Sequence, residues 1–374
     1  VQQQHEQRIE EDMSFEHPNR NNESMRDVEL DIMSRPPEHN TTNLDLDRMN
    51  LMLDILGHPE QSFRVIHITG TNGKGSTARM AEAICRAYGM RTGLFTSPHL
   101  EKINERIAID GQQLSDDDFI DIWDQTKDLV ALVDAKMEEQ GKPKMSFFEV
   151  LTAMAIWKFA DTPVDVAIVE VGMGGLWDAT NVLNADAAII GPVDMDHMQW
   201  LGDTVEQIAT EKAGIIKPGS PVVSYGGVPE ADAVIARVAK EQNAPLTVVD
   251  LSRLKVEGGD LDAVTFDFDG LDGVRLPLIG SYQPKNAALA ITALRVLRGR
   301  GWNIPDSAIR TGLEQVSWPG RFELLRHSPA FLLDGSHNAH GMRATVQSLR
   351  DRFPGQKFVF LLSIMADKDV DEML

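Results

Sequence analysis

The chain has 374 residues, 42% of them apolar and 25% charged, which is ordinary for a folded globular protein and long enough for two domains. Its 36 basic and 57 acidic residues leave a net charge of −21, which disfavours a nucleic-acid partner or an anionic membrane surface and reads mainly as solubility. A single cysteine, Cys85, excludes an intramolecular disulfide, and with no long apolar run and no basic–apolar leader the chain is expected to be cytoplasmic.

Residues 1–25 are rich in Gln, Glu, Asn and Arg without apolar periodicity and predict a disordered tail. From Leu44 onward, Leu46, Met49, Leu51, Met52 and Ile55 recur at helical spacing and stop at Gly57. A strand over 63–68 then feeds Gly70-Thr71-Asn72-Gly73-Lys74-Gly75-Ser76-Thr77, a glycine-rich turn that opens a helix over 76–88. Backbone N–H groups, the positive end of that helix and the Lys74 ammonium together predict a phosphate cradle, with Ser76 placed to hold Mg²⁺. Ile68 stands where the common nucleotide-binding form has its first glycine, and Gly75 separates Lys74 from the hydroxyl, so a generic nucleotidase fits poorly.

Strands at 92–96, 164–171, 185–192 and 221–224 alternate with helices at 116–139, 146–160, 204–213 and 229–242, the pattern of a mainly parallel sheet covered on both faces. Short strand-like runs over 247–276 predict an antiparallel side sheet, with 247–249 its first strand. Helices at 284–299 and 305–315 follow. The fold class is α/β: an N-terminal P-loop ATPase domain over 26–316, then a partial Rossmann-like domain over 317–374, where 331–334 begins a fresh strand–helix–strand series.

Four places carry candidate chemistry. Glu170 ends a buried strand at the edge where ligands of parallel sheets gather, and metal ligation is the favoured role over a structural ion pair. Asp194, Asp196 and His197 cluster at the end of the next strand. Lys212 shares an apolar helical stripe with Val205, Ile208 and Ala209, so it either snorkels outward or is buried as a neutral amine able to react with CO₂. Past Trp318-Pro319-Gly320, Arg321 and His337 are placed to meet nucleotide phosphates and Asp334 a ribose hydroxyl.

These segments jointly resemble the dihydrofolate synthase / folylpolyglutamate synthase family from about Asn43 to Leu374. The blocks are T-G-T-N-G-K-G-S at 69–76, T-S-P-H-L at 96–100, E-R-I at 105–107, F-F-E at 147–149, G-G-x-x-D-A-T-N at 174–181, D-H-x-x-x-L-G at 196–202, E-K-A-G at 211–214 and D-G-S-H-N at 334–338. The resemblance implies an ATP-dependent ligase of folate metabolism, joining L-glutamate to dihydropteroate or a reduced folate. It implies that the cradle from Gly70 to Thr77, with Asn286, Arg321, Asp334 and His337, binds ATP. It further implies two Mg²⁺ positions served by Ser76, Ser97, Glu170, His197 and Lys212, the last carbamylated. Lys74, Lys212 and His197 form the implied catalytic set, Phe148 and Asp178 line the pterin pocket, and the protein is expected to be a monomer. Leu176 stands where the family commonly has Arg, and similar proteins continue through further strands, so the C-terminal domain is expected to be partial. A nucleotide- or pterin-binding protein without ligase activity and a P-loop kinase are the rival readings.

Overall fold

The structure, a computed structural model, describes residues 24–37, 45–195, 201–365 and 370–373. Its centre is an eight-stranded sheet of β1 (Arg64–Thr69), β2 (Thr92–Phe95), β3 (Ile107–Ile109), β4 (Gln112–Gln113), β5 (Val166–Glu170), β6 (Ala187–Ile190), β7 (Val222–Ser224) and β8 (Leu246–Val248), in the order β4-β3-β2-β5-β1-β6-β7-β8. Strand β1 lies inside it, parallel to β5 with Ile68 opposite Glu170 and parallel to β6 with Thr69 opposite Ile190. Only the β3–β4 edge is antiparallel to its neighbours. The carboxyl ends of β1, β2, β5 and β6 therefore share one edge, where an open parallel sheet places its ligands.

Strands β2, β5, β6 and β7, and β1 after Arg64, are buried along their length because both faces are covered. Ile66, Ile68, Val166 and Ile168 join a core with α3 (Lys74–Ala87), α8 (Gln283–Leu297) and α9 (Asp306–Gln315), whereas Val65, Ala167 and Val169 join the opposite core. The second core is closed by α1 (Met25–Met33), α2 (Asp47–Leu56), α4 (Asp116–Glu139) and α5 (Phe147–Asp161). Cys85 is buried in the first core, where burial pushes its thiol well above the ordinary range and leaves it chemically inert.

Helix α6 (Val205–Ala213) and helix α7 (Pro229–Glu241) pack together beside β6 and β7. Helix α7 carries the chain back so that Leu246–Val248 pairs parallel to β7. This corrects the expectation that 247–249 opens the side sheet: a strand delivered by a crossover helix adds to the parent sheet. The side sheet is instead β9 (Leu254–Gly259), β10 (Val264–Phe268) and β11 (Leu271–Leu276), antiparallel, with Phe266 and Phe268 turned into the first core. Helix α1 lies where a tail was expected to end. Its signal is local: Ser24 and Asp27 form a capping box, and Val28 and Ile32 bury one face.

Beyond Trp318 the chain forms an antiparallel hairpin, β12 (Glu323–His327) and β13 (Ala330–Leu333), then α10 (Ala339–Arg352) and the short α11 (Val370–Met373). A small core of Ile279, Phe322, Leu349 and Phe353 joins them to the rest. The expected second strand of the series does not form among the described residues: Val359 and Leu361 are fully exposed, with no neighbouring strand to pair with.

Candidate active site

The cradle is built by two elements meeting at β1's carboxyl end. Helix α3 opens at Gly73, whose φ of 79° is left-handed, and a Cβ there would lie 2.6 Å from Asn286 Oδ1. Gly75 is closed in differently: a Cβ would stand 3.3 Å from Glu170 Oε2 and 3.2 Å from the Trp318 ring, which accounts physically for the extra glycine in the motif. Lys74 Nζ donates to the carbonyls of Gly70 at 3.0 Å and Thr71 at 3.3 Å, so its charge rests in the loop it serves. Thr77 N–H returns to Gly73 at 2.9 Å as the first turn of the helix.

Several residues expected to touch nucleotide hold protein partners here. Thr71 ties the cradle to the loop after β6 through Pro192 and Asp194. Asn72 exchanges amide hydrogen bonds with Asn338 at 3.3 and 3.2 Å and approaches His340 Nδ1 at 2.6 Å, joining the cradle to the start of α10. Asn286 is buried behind Gly73 and donates to Gln283, which in turn donates to the Ser76 hydroxyl at 3.2 Å. Gly73→Ala is accordingly expected to cost about 1–2 kcal/mol of backbone strain and to displace Asn286, weakening ADP binding by at least about tenfold in titration calorimetry. Replacing Asn286 with Ser in the same chain should relieve only the side-chain part.

Glu170 ends β5 beside this cradle. It is buried and accepts one hydrogen bond, from Ser97 N–H at 3.0 Å, with no ion pair among the described residues. Burial pushes its carboxyl up, opposed by Lys74, the Ser97 N–H, Arg321 and Arg106. No cluster of three or more His, Cys, Asp or Glu set to hold a metal occurs among the described residues. Mg²⁺ ordinarily needs only one or two carboxylates, completed by water and substrate phosphates. A single buried carboxylate in contact distance of the phosphate loop fits that requirement.

Lys212 is buried, which rules out the snorkelling reading. The Gly174–Leu176 loop after Glu170 packs on its helix: Leu176 N–H bonds the Glu211 carbonyl at 2.8 Å, and a Cβ on Gly175 would lie 3.1 Å from the Lys212 carbonyl. Asp194 faces its own loop, accepting from Met195 N–H. Asp196 and His197 lie outside the described residues.

In the C-terminal part, Asp334 is an organiser of the β13–α10 turn. It accepts from Phe322 N–H at 2.8 Å, Ser336 N–H at 3.0 Å, Thr345 Oγ1 at 2.7 Å and the Ser336 hydroxyl, with Tyr282 Oη at 3.4 Å. Arg321 lies against Gly335 and donates to the Gly320 carbonyl. His337 is exposed, its Nδ1 3.0 Å from the Gly335 carbonyl.

Phe148 and Asp178 do come together, both against Gly172: a Cβ there would lie 2.7 Å from Phe148 Cζ and 3.1 Å from Asp178 Oδ2. Phe148 packs on Phe95 with ring centroids 5.5 Å apart. Asp178 caps the turn Ala179–Val182 and accepts from Met173 N–H and Thr180 N–H, each at 3.0 Å, and burial is the main influence on its carboxyl, pushing it up. The Glu of F-F-E is structural: Glu149 closes the capping box with Ser146 at the head of α5 and pairs with Arg48 of α2 at 2.9 Å. Sequence reasoning missed roles for Arg48, Gln283 and His67: His67 was marked only as a polar side chain inside an apolar strand, while Arg48 and Gln283 stand among polar neighbours and carry no local signal.

Two domain models match the chain: the Mur ligase middle domain over residues 119–294 and the Mur ligase, glutamate ligase domain over 320–374. With the phosphate cradle and its neighbouring carboxylate, they define an ATP-dependent amide-forming ligase. The dihydrofolate synthase/folylpolyglutamate synthase of Mycobacterium tuberculosis is 41% identical over 373 residues, covering 94% of this chain and 75% of the relative. This chain belongs to the dihydrofolate synthase/folylpolyglutamate synthase family. Among solved structures, Mycobacterium tuberculosis folylpolyglutamate synthase complexed with ADP matches with a TM-score of 0.85 and 39% identity, over 93% of this chain and 78% of the other. A folylpolyglutamate synthase solved with AMPPCP and folate matches with a TM-score of 0.79 and 34% identity, over 88% of this chain and 80% of the other.

Proposed function

We propose that this enzyme uses ATP to activate the free carboxylate of dihydropteroate or a reduced folate and then joins it to the amine of L-glutamate. The carboxylate oxygen attacks the γ-phosphorus, ADP leaves, and the acyl phosphate formed is attacked by the amine, releasing phosphate and a proton. The observation that carries this reading is the cradle of Gly70–Ser76 with Glu170 Oε2 beside Gly75, which brings phosphate donors and a buried acid to one point. The relatives named for ADP, AMPPCP and folate support a nucleotide and a folate as ligands.

Backbone N–H groups of the cradle and Lys74 align the phosphates and stabilise the charge that develops on the transferring group. Ser76, Ser97 and Glu170, with His197, would hold Mg²⁺, which supplies further charge neutralisation at the phosphates. Lys212, buried beside the loop that follows Glu170, would add a second acid there as its carbamate, formed with loss of a proton when the neutral amine adds to CO₂. Arg321, Asp334 and His337 would approach the nucleotide from the 317–374 domain, and Asn286 from behind Gly73. Phe148 and Asp178 line the pterin pocket. We place the enzyme in the cytoplasm as a monomer; none of the described helices is long and apolar enough to cross a membrane.

Product mass decides the reading. Incubation with ATP, Mg²⁺, L-glutamate and, separately, dihydropteroate or tetrahydrofolate is expected to add one glutamyl unit to an acceptor, with one phosphate released per unit. ATP binding without any added glutamyl unit would instead support a binding protein, and a stable phosphorylated acceptor a kinase.

A further inference from the structure

Strand β1 does more than lead into the phosphate cradle. Side chains at alternate positions of a strand share a face, and Val65 of β1 points into the core closed by α5. His67 and Thr69 follow on that face, and both reach the loop after β5. Thr69 Oγ1 donates to the Gly174 carbonyl at 2.7 Å, while His67 Nε2 lies 2.8 Å from Thr180 Oγ1. The Thr180 hydroxyl in turn bonds Asp178 Oδ1. All three residues of this chain of contacts are buried, His67 and Thr180 completely.

The direction of the proton in each bond follows from the donors present. Asp178 Oδ1 already receives Thr180 N–H at 3.0 Å, so it is an acceptor on that side and takes the single hydroxyl proton of Thr180. Thr180 Oγ1 can then only accept from the ring, which fixes His67 as the tautomer protonated at Nε2. Its Nδ1 is buried with no hydrogen-bond partner among the described residues, consistent with an unprotonated nitrogen. Burial, and then the Lys217 ammonium, push the imidazole down to about 3, so it stays neutral throughout the physiological range.

We propose that His67 is a positioning residue for the acceptor substrate: through Thr180 it fixes the Asp178 carboxylate at the Gly172–Phe148 wall, where Oδ2, which already accepts the Met173 N–H at 3.0 Å, takes a second N–H from the substrate's heterocycle. Phosphate cradle and acceptor pocket are thereby set by one strand, His67 and Thr69 orienting the pocket loop and Gly70 beginning the cradle next to them. This inference rests on the proposed role of Asp178 in binding the acceptor.

The test compares steady-state kinetics of His67→Phe, His67→Gln, Thr180→Val and Asp178→Asn in the full chain, with tetrahydrofolate or dihydropteroate, whichever the wild type uses. His67→Phe keeps an aromatic ring but removes the donor, and is expected to raise the KM for the acceptor roughly tenfold, with little change in the KM for ATP or in kcat. His67→Gln places an amide N–H near the position of Nε2 and should recover most of that loss. Thr180→Val should reproduce the effect, and adding His67→Phe to it should make it no worse, because both break one chain of bonds. If His67→Phe fails to fold, Thr180→Val carries the same comparison. A proportional loss in every parameter together with a lowered melting temperature would overturn the proposal in favour of a purely structural histidine. An unchanged acceptor KM in His67→Phe or Thr180→Val, with Asp178→Asn raising it, would overturn the relay and leave the pocket assignment standing. An unchanged acceptor KM in Asp178→Asn would remove the assignment on which the relay rests.

Discussion

Lys74→Ala is expected to lower glutamyl transfer by about 10³-fold or more while leaving the melting temperature close to that of the wild type. The lysine lies at the start of α3, with Nζ 3.0 Å from the Gly70 carbonyl and 3.3 Å from that of Thr71. Those two bonds are replaceable by water, since the side chain is only half-buried, so little folding energy depends on them. In phosphoryl transfer the situation differs. Negative charge spreads over the equatorial oxygens and the leaving oxygen at once, and an ammonium held in the loop is already oriented toward it. Its removal costs the transition state more than the ground state, so kcat falls together with kcat/KM. A phosphate-release assay with a calorimetric binding control reads both sides. A near-normal rate from the alanine variant would remove Lys74 from the mechanism and with it the ligase reading of the cradle.

The same loop shows what was legible in the sequence and what was not. The strand–turn–helix around Gly73 could be read because each residue answers a local need: a run buried on both faces, left-handed backbone, N–H groups without partners at a helix start. Helix α4 was equally plain: the range read from the sequence, 116–139, is the range observed, with Ser115 as its cap. Long-range pairings had no local signature. Asn72 finds Asn338 across most of the chain, and Asn286 fills the space that the missing Cβ of Gly73 leaves, so residues expected on nucleotide hold the cradle's shape. Asp334, expected at a ribose, is likewise the hub of a turn with five donors. Strand β8 failed for a further reason: Thr247-Val248-Val249 favours a strand in either sheet, and only the α7 crossover decides which. His67 was invisible because a histidine within an apolar strand is ordinarily core, and its partner lies 113 positions away.

Arg48→Met is expected to be the most destabilising single change at the pocket, by about 3–5 kcal/mol. Arg48 and Glu149 are both nearly inaccessible, at 3% and 5% exposure, and meet through Nε at 2.9 and 3.0 Å from the two carboxylate oxygens. The net value of such a pair is small, because desolvating two ions offsets most of their attraction. Breaking it is another matter, since methionine would leave the Glu149 carboxylate inside the core with, among the described residues, only the Ser146 N–H at 2.7 Å to serve it. Replacing both partners, Arg48→Met with Glu149→Met, should recover most of the loss. What remains is the capping box of α5, worth about 1 kcal/mol. Guanidinium unfolding midpoints on the two variants separate these contributions, and a single-variant cost below about 1 kcal/mol would show that Glu149 finds water or a proton instead. Because Glu149 fixes the first turn of α5, the residual loss should also appear as a raised acceptor KM. Phe148, one residue before it, would then lose its fixed place against Phe95 and the Gly172 wall.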